Sequence, residues 1–354
     1  MKALRIGLPI AVLVVLAIVP LSATPYTNYQ LGLVGAFAVA ILGLNVVSGY
    51  AGQISLGQSA FMGIGAYAAA YGVGHGWPVV WTFLVAALLP AVVGTLVAIP
   101  AVRLRGNALA VVTIILPIIA VPLAKRLAEF TGGSEGKNVD WAHAPAGIGL
   151  EDDQWRYYLV LAVAAALFLL ARNVLSGRIG RAFALVRTNE AVASATGISP
   201  HRYKVLAFAI ASLYGGVAGF LYLVVVQFAS PDLLGFLVAV NMLAALAIGG
   251  FANLWGALIA GVFYVYVPVV AGAVDPSRTN IFYGAVVLLV LFVLPGGLAG
   301  GIGRAGRFLL DRVPGLRGPA GGRSEPSSTR NGTAVPDADS DDLRPSVGSG
   351  KELS

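Results

Sequence analysis

Residues 79–99 read VVWTFLVAALLPAVVGTLVAI, twenty-one consecutive positions without a charged side chain. As a helix this run is about 31 Å long, enough to cross the hydrocarbon of a bilayer. Nine further charge-free apolar runs flank it, at residues 6–21, 30–47, 59–73, 107–124, 157–171, 205–227, 236–250, 255–272 and 280–298. Two of them, 59–73 and 236–250, are 15 residues long and short for a full crossing. They are expected to tilt little, to be partly buried in protein or to be re-entrant. The expected fold is all-α: a polytopic helical membrane protein of about ten transmembrane helices. It occupies residues 1–303, with a cytoplasmic tail at 304–354 that is mostly disordered because Gly, Pro, Ser, Arg and Asp dominate it.

Composition agrees with the runs. The 354 residues are 58% hydrophobic and 11% charged, where soluble domains carry roughly 25% charged residues. A water-soluble enzyme is excluded. The absence of cysteine removes disulfides, thiolate metal sites, iron–sulfur clusters and cysteine nucleophiles. Three histidines, all between the runs, offer no metal site. Neither metal nor cofactor is expected.

Charge placement orients the chain. With ten crossings and the N-terminus inside, 18 of the 23 Lys and Arg fall on the cytoplasmic side, as the positive-inside rule requires. Both termini are then cytoplasmic. The net charge of +7 reflects topology and implies no nucleic acid. The first run follows Lys2 and Arg5 and resembles a signal peptide in outline, but its 16 apolar residues fit an uncleaved helix better.

All sixteen Asp and Glu lie outside the runs, the nearest being Asp232 in a loop. Proton-coupled carriers usually keep ionisable groups at membrane depth, so an ion-coupled carrier is disfavoured. Sodium held by neutral oxygens keeps that alternative open. No catalytic residue is expected. Gly52-Gln53-Ile54-Ser55-Leu56-Gly57 misses the Gly-x-Ser-x-Gly nucleophile pattern by one position. Gly132-Gly133-Ser134-Glu135-Gly136-Lys137-Asn138 fails the phosphate-loop pattern at Thr131 and Asn138. If ATP is used, another polypeptide binds it.

Two segments carry information. In 43–59 glycines alternate with Asn, Gln and Ser at a span end. Backbone broken there survives only inside protein or beside water. One reading is glycine-mediated helix packing. The other is a translocation pathway or gate formed by Asn45, Gly49, Gly52, Gln53, Ser55, Gly57 and Gln58. Gly249-Gly250-Phe251-Ala252-Asn253 echoes it faintly, a hint of internal duplication. The second segment is the cytoplasmic loop 172–204. Asn189 caps a short helix, Glu190 stands in its first turn, and Gly197 stops it in the left-handed region. Ser199 and Pro200 open the next helix. A small helix flanked by Arg178, Arg181 and Arg187 suits docking into a soluble partner.

These residues resemble the M-type membrane subunit of branched-chain amino-acid ABC importers. The resemblance rests on Gly43-Leu44-Asn45 through Gly57, Leu104 to Thr113, Thr131-Gly132-Gly133, Gly180 to Lys204 and Ile248 to Gly256. It implies an ABC importer permease-like bundle in the bacterial cytoplasmic membrane, paired as a heterodimer with a second, H-type permease. Two cytosolic ATP-binding subunits would dock on Arg178, Gly180, Arg181, Arg187, Asn189, Glu190 and Gly197, and an extracytoplasmic binding protein would deliver substrate. The implied substrates are branched-chain or other apolar amino acids, with urea or short amides as the alternative. Two stretches depart from the family pattern: Phe251-Ala252-Asn253, where glycines and Ser/Thr are usual, and Ile114-Ile115-Leu116-Pro117, where a Phe-Gly-Glu-like element is usual.

Overall fold

The computed structural model describes residues 16–102, 108–145, 147, 149–274, 279–293 and 297–298. Residues 6–15 of the first expected span, Arg103 and Arg105, and the expected tail lie outside the described residues. Helix α1 (16–22) leads into α2 (Pro25–Leu44), which widens into a π-turn at Asn45–Tyr50. Then come α3 (Gln58–Gly74), α4 (Val79–Ala101), α5 (Ala108–Arg126), α6 (Ala128–Thr131), α7 (Asp152–Ser176), α8 (Arg178–Thr188) and α9 (Glu190–Ala195). The chain ends its described part with α10 (Pro200–Val226), a 3-10 turn at Pro231–Leu234, α11 (Phe236–Gly249), α12 (Leu254–Val274) and α13 (Thr279–Val293). Two short strands, β1 (Lys137–Asn138) and β2 (Phe228–Ala229), pair antiparallel with Lys137 opposite Ala229.

Among the described residues five helices are long and apolar enough to cross a bilayer: Pro25–Tyr50, Val79–Ala101, Asp152–Ser176, Pro200–Val226 and Leu254–Ala273. Their starts are set locally. Thr24 accepts from the Thr27 amide ahead of Pro25, and Glu151 with Gln154 forms a capping box for α7.

Helix α10 is the centre of the bundle and packs on α2, α3 and α4. Backbones touch there because glycine leaves room. A Cβ on Gly65 would sit 2.2 Å from the Gly216 carbonyl oxygen, one on Gly219 2.0 Å from that of Met62, and one on Gly216 2.3 Å from that of Ala86. Lipid supplies little hydrophobic drive between helices, so such close van der Waals contact holds α3, α4 and α10 together. Gln58, at the start of α3, donates through Nε2 to the carbonyls of Ala40 and Ala211, stapling α3 between α2 and α10.

The elements sort to two ends. At one lie the π-turn, α8, α9 and the 250–253 loop; at the other lie α6, the strand pair and residues 139–145. The Thr131-Gly132-Gly133 motif turns the chain at this second end. Thr131 Oγ1 donates to Ala124 and Leu127 carbonyls, and Gly132 and Gly133 take φ of +77° and +67°.

Two expectations are refined. Segment 172–204 was expected as a loop with one short helix. It is largely helical: α7 runs on to Ser176, and α8 follows. Gly180, Ala182, Phe183 and Val186 bury one face of α8 while Arg178 and Arg181 stay exposed. The second short run, 236–250, also has a structural cause. The chain after β2 turns back along α3, where Ser59 Oγ donates to the Leu234 carbonyl at 3.2 Å and Gly63 abuts the Leu234 side chain. Helix α11 therefore begins part-way along the bundle, and its 14 residues suffice to reach the α8 end.

Candidate functional site

The two segments singled out in the sequence meet. Helix α2 would continue as α-helix past Leu44, but residues 45–50 widen into a π-turn and residues 51–57 leave helix altogether. Wide turns of this kind recur at functional positions because one surplus residue re-aims the chain. Asn45 is fully buried and holds the loop that echoes it: Nδ2 donates to the Asn253 carbonyl at 2.8 Å, and Oδ1 accepts from the Ala252 amide at 2.9 Å. Gly49 is required by that grip, since a Cβ there would lie 2.0 Å from Asn45 Oδ1 and 2.6 Å from the Ala252 nitrogen.

Helix α8 reaches the same place. Arg187 donates from Nη1 to the Gly49 carbonyl, satisfying one acceptor that the broken helix frees. Its stem lies against Gly52, where a Cβ would sit 2.6 Å from Arg187 Cγ and where φ is +71°. Gly180 permits the sharp step from α7 into α8, because a Cβ there would stand 1.8 Å from the Leu175 carbonyl oxygen. Helix α9 follows as the sequence indicates. Asn189 Oδ1 accepts from the amides of Ala191 and Val192, and Gly197 closes the helix at φ +81°. Glu190 is not free, however: it pairs with Lys204 in the first turn of α10. Sequence reasoning missed this pair, although both residues lay in the same segment.

The polar residues of 43–59 face inward. Asn45, Gln53, Ser55 and Gln58 are 0%, 7%, 2% and 1% exposed. Ser55 closes a local turn by accepting from the Gly57 amide, and Gly57 sits against Leu116 of α5. Thr113 of α5 accepts from the Leu56 amide, tying the coil to that helix. Gln53 differs from its neighbours, for neither atom of its buried amide has a hydrogen-bond partner among the described residues. A buried amide in that condition costs about 1–3 kcal/mol, and it adjoins the positive-φ glycine of the coil. A groove of about 580 Å³ between α2, α7 and α12 opens beside this junction, with Tyr50, Ala252, Asn253 and Arg172 in its wall.

Residues missed by the sequence reading are Thr113, Lys204, Ala252 and the face of α8. The last had a signal. Ile179, Ala182, Phe183 and Val186 follow helical spacing between the arginines. Among the described residues no cluster of His, Asp or Glu could hold a metal ion.

Comparison with known proteins gives one family. A profile described as "Branched-chain amino acid transport system / permease component" matches residues 26–291. The permease protein LivM of the high-affinity branched-chain amino acid transport system of Escherichia coli (strain K12) is 33% identical over 256 residues, covering 63% of this chain and 58% of the relative. LivM of Salmonella typhimurium is 34% identical over the same shares. The chain thus spans little more than half the length of these relatives. PsaBC from Streptococcus pneumoniae, solved in complex with a Fab, aligns at a TM-score of 0.42 and 17% identity, covering 78% of this chain and 94% of that chain.

Proposed function

The chain belongs to the branched-chain amino acid transport permease family, and from that premise we propose that it is the membrane subunit of an ABC importer for branched-chain or other apolar amino acids. It crosses the bacterial cytoplasmic membrane about ten times with both termini inside and pairs with an H-type permease. An extracytoplasmic binding protein loads it, and two cytosolic ATPases dock at α8 and α9.

The observation that carries this reading is the grip of Arg187 on Gly49 and Gly52. A displacement of α8 by a docked ATPase passes through that side chain into the broken end of α2. From there it passes through Asn45 to the 250–253 loop. Helix α9 is under two turns long and marginal alone, so a partner's groove would stabilise it. A zwitterion cannot cross hydrocarbon unaided, because an unpaired charge there costs several kcal/mol or more. Neutral donors and acceptors uncovered when the coil yields shield it without holding it.

The test is uptake by the transporter assembled with its partner subunits. Arg181→Glu, on the exposed face of α8, abolishes ATP-driven uptake of labelled leucine while the permease inserts at normal abundance. Undiminished uptake removes the docking role. Labelled urea in the same vesicles separates the amide-carrying alternative.

A further inference from the structure

We propose that Asp232 lines the substrate path within the membrane and receives the ammonium group of the transported amino acid. This deepens the reading above and rests on it. The placement comes from α3. Its far end, Gly74, stands beside Lys137 of the strand pair, at the end of the bundle opposite α8. Leu234 meets Ser59 and Gly63, 15 and 11 residues back along α3, or about 16–22 Å from Gly74 by helical rise. Asp232 is two residues earlier in a 3-10 turn, which places it about 12–18 Å in from that end. With Gly74 at the membrane face and hydrocarbon about 30 Å thick, this distance puts the carboxylate inside it.

Its surroundings are unlike those of a stray loop acid. Pro231, Leu233 and Leu234 are buried on either side of it, and the turn packs on α3 and α5, while Asp232 itself is exposed. Among the described residues it has no cationic partner. A lone charge at this depth is tolerated where it meets water or an opposite charge and not where it meets acyl chains. Helix α3, on which the turn packs, carries a second sign of a ligand. Tyr67, one helical turn beyond Gly63 on α3, is 7% exposed, and its hydroxyl has no hydrogen-bond partner among the described residues. A carboxylate on the turn and an uncommitted hydroxyl on the helix it packs against present the acceptor and donor that the head group of an α-amino acid needs. An uncharged amide such as urea gains little from the carboxylate.

The native chain has no cysteine, so Asp232→Cys gives a single reporter. In cells expressing the full transporter, a permanently charged methanethiosulfonate reagent added from outside modifies this position, and saturating leucine slows the modification about tenfold. No modification places the side chain in lipid or against protein and overturns the proposal, as does modification that leucine leaves unchanged. In reconstituted vesicles Asp232→Asn lowers leucine uptake about tenfold with ATP hydrolysis retained, and Asp232→Glu recovers most of it. Full uptake by Asp232→Asn overturns the assignment while leaving the permease reading intact. Absence of ATP-driven leucine uptake by the unsubstituted transporter sinks that reading instead.

Discussion

Arg187 and Gly49 lie 138 positions apart in the chain, and the guanidinium of one donates to the carbonyl of the other. This contact turns two separate sequence features into one machine part, so removing it is the most direct test of coupling. Arg187→Ala leaves α8 folded, because its buried face is made by Ala182, Phe183 and Val186. Uptake falls about tenfold or more, equivalent to about 1.4 kcal/mol, while ATP hydrolysis continues. Arg187→Lys recovers part of it, and parallel loss of uptake and hydrolysis contradicts the coupling role.

Gly52 tests the other side of the same contact. Gly52→Ala puts a Cβ against Arg187 Cγ at a residue with φ +71°. The left-handed conformation alone costs about 1–2 kcal/mol. Purified protein therefore melts several degrees lower, and the double variant with Arg187→Ala regains part of the loss. An unchanged melting temperature for Gly52→Ala means that the coil relaxes freely.

Asn45→Ala empties a fully buried position and strands the Ala252 amide and Asn253 carbonyl. A destabilisation of about 1–3 kcal/mol is expected. Asn45→Asp keeps the acceptor for Ala252 but cannot donate to Asn253, and it melts no higher than Asn45→Ala because a charge replaces a neutral amide in a dry site. Detergent-solubilised melting curves decide the order.

The Glu190–Lys204 pair makes the opposite prediction for stability. The Glu190 side chain is 56% exposed, and surface pairs contribute about 0–1 kcal/mol. Glu190→Gln therefore leaves the melting temperature within error. Glu190→Lys places like charges together and reduces ATPase binding, measured by co-purification, so a loss of binding in both variants points to the charge of Glu190 itself.

At the opposite end His143 answers to pH. Its side-chain hydrogen bond to Asp152, with the charge of Asp140 nearby, raises its pKa above the ordinary 6.5. A raised folded-state value means that the stabilisation is complete below pH 6.5 and is lost as pH rises through the folded value. Protease sensitivity of residues 139–145 increases over that range and becomes flat with pH in His143→Gln.

Much of the architecture was legible because apolar runs obey bilayer thickness. Residues 79–99 and 205–227 became α4 and α10 with boundaries shifted by a few residues, and Asn189, Gly197 and Pro200 marked α9 and the start of α10 as local chemistry demands. What was not legible is long-range or partly charged. Helix α8 hid behind Arg178, Arg181 and Arg187, because a search for charge-free runs discards an amphipathic helix. The π-turn has no separate signal, since Asn45–Tyr50 fits an ordinary helix end equally well. The return of the chain at 230–235 reads as a plain loop because its Ser, Pro, Asp and Gly are turn residues at any depth. The polar side chains of 43–59 admit two readings in the sequence, helix packing or a path; they are buried, and Gln58 serves as a staple.

The backbone contacts of Gly65, Gly216 and Gly219 set how the molecule can deform. Where backbone meets backbone, α3, α4 and α10 resist sliding past one another, so they travel as a single stiff strut. Bending is left to the joints at the strut's ends, the coil 51–57 and the left-handed residues Gly197 and Gln227. A push at the α9 joint therefore arrives at the other tip undiminished, as motion of a rod and not as compression of a sponge.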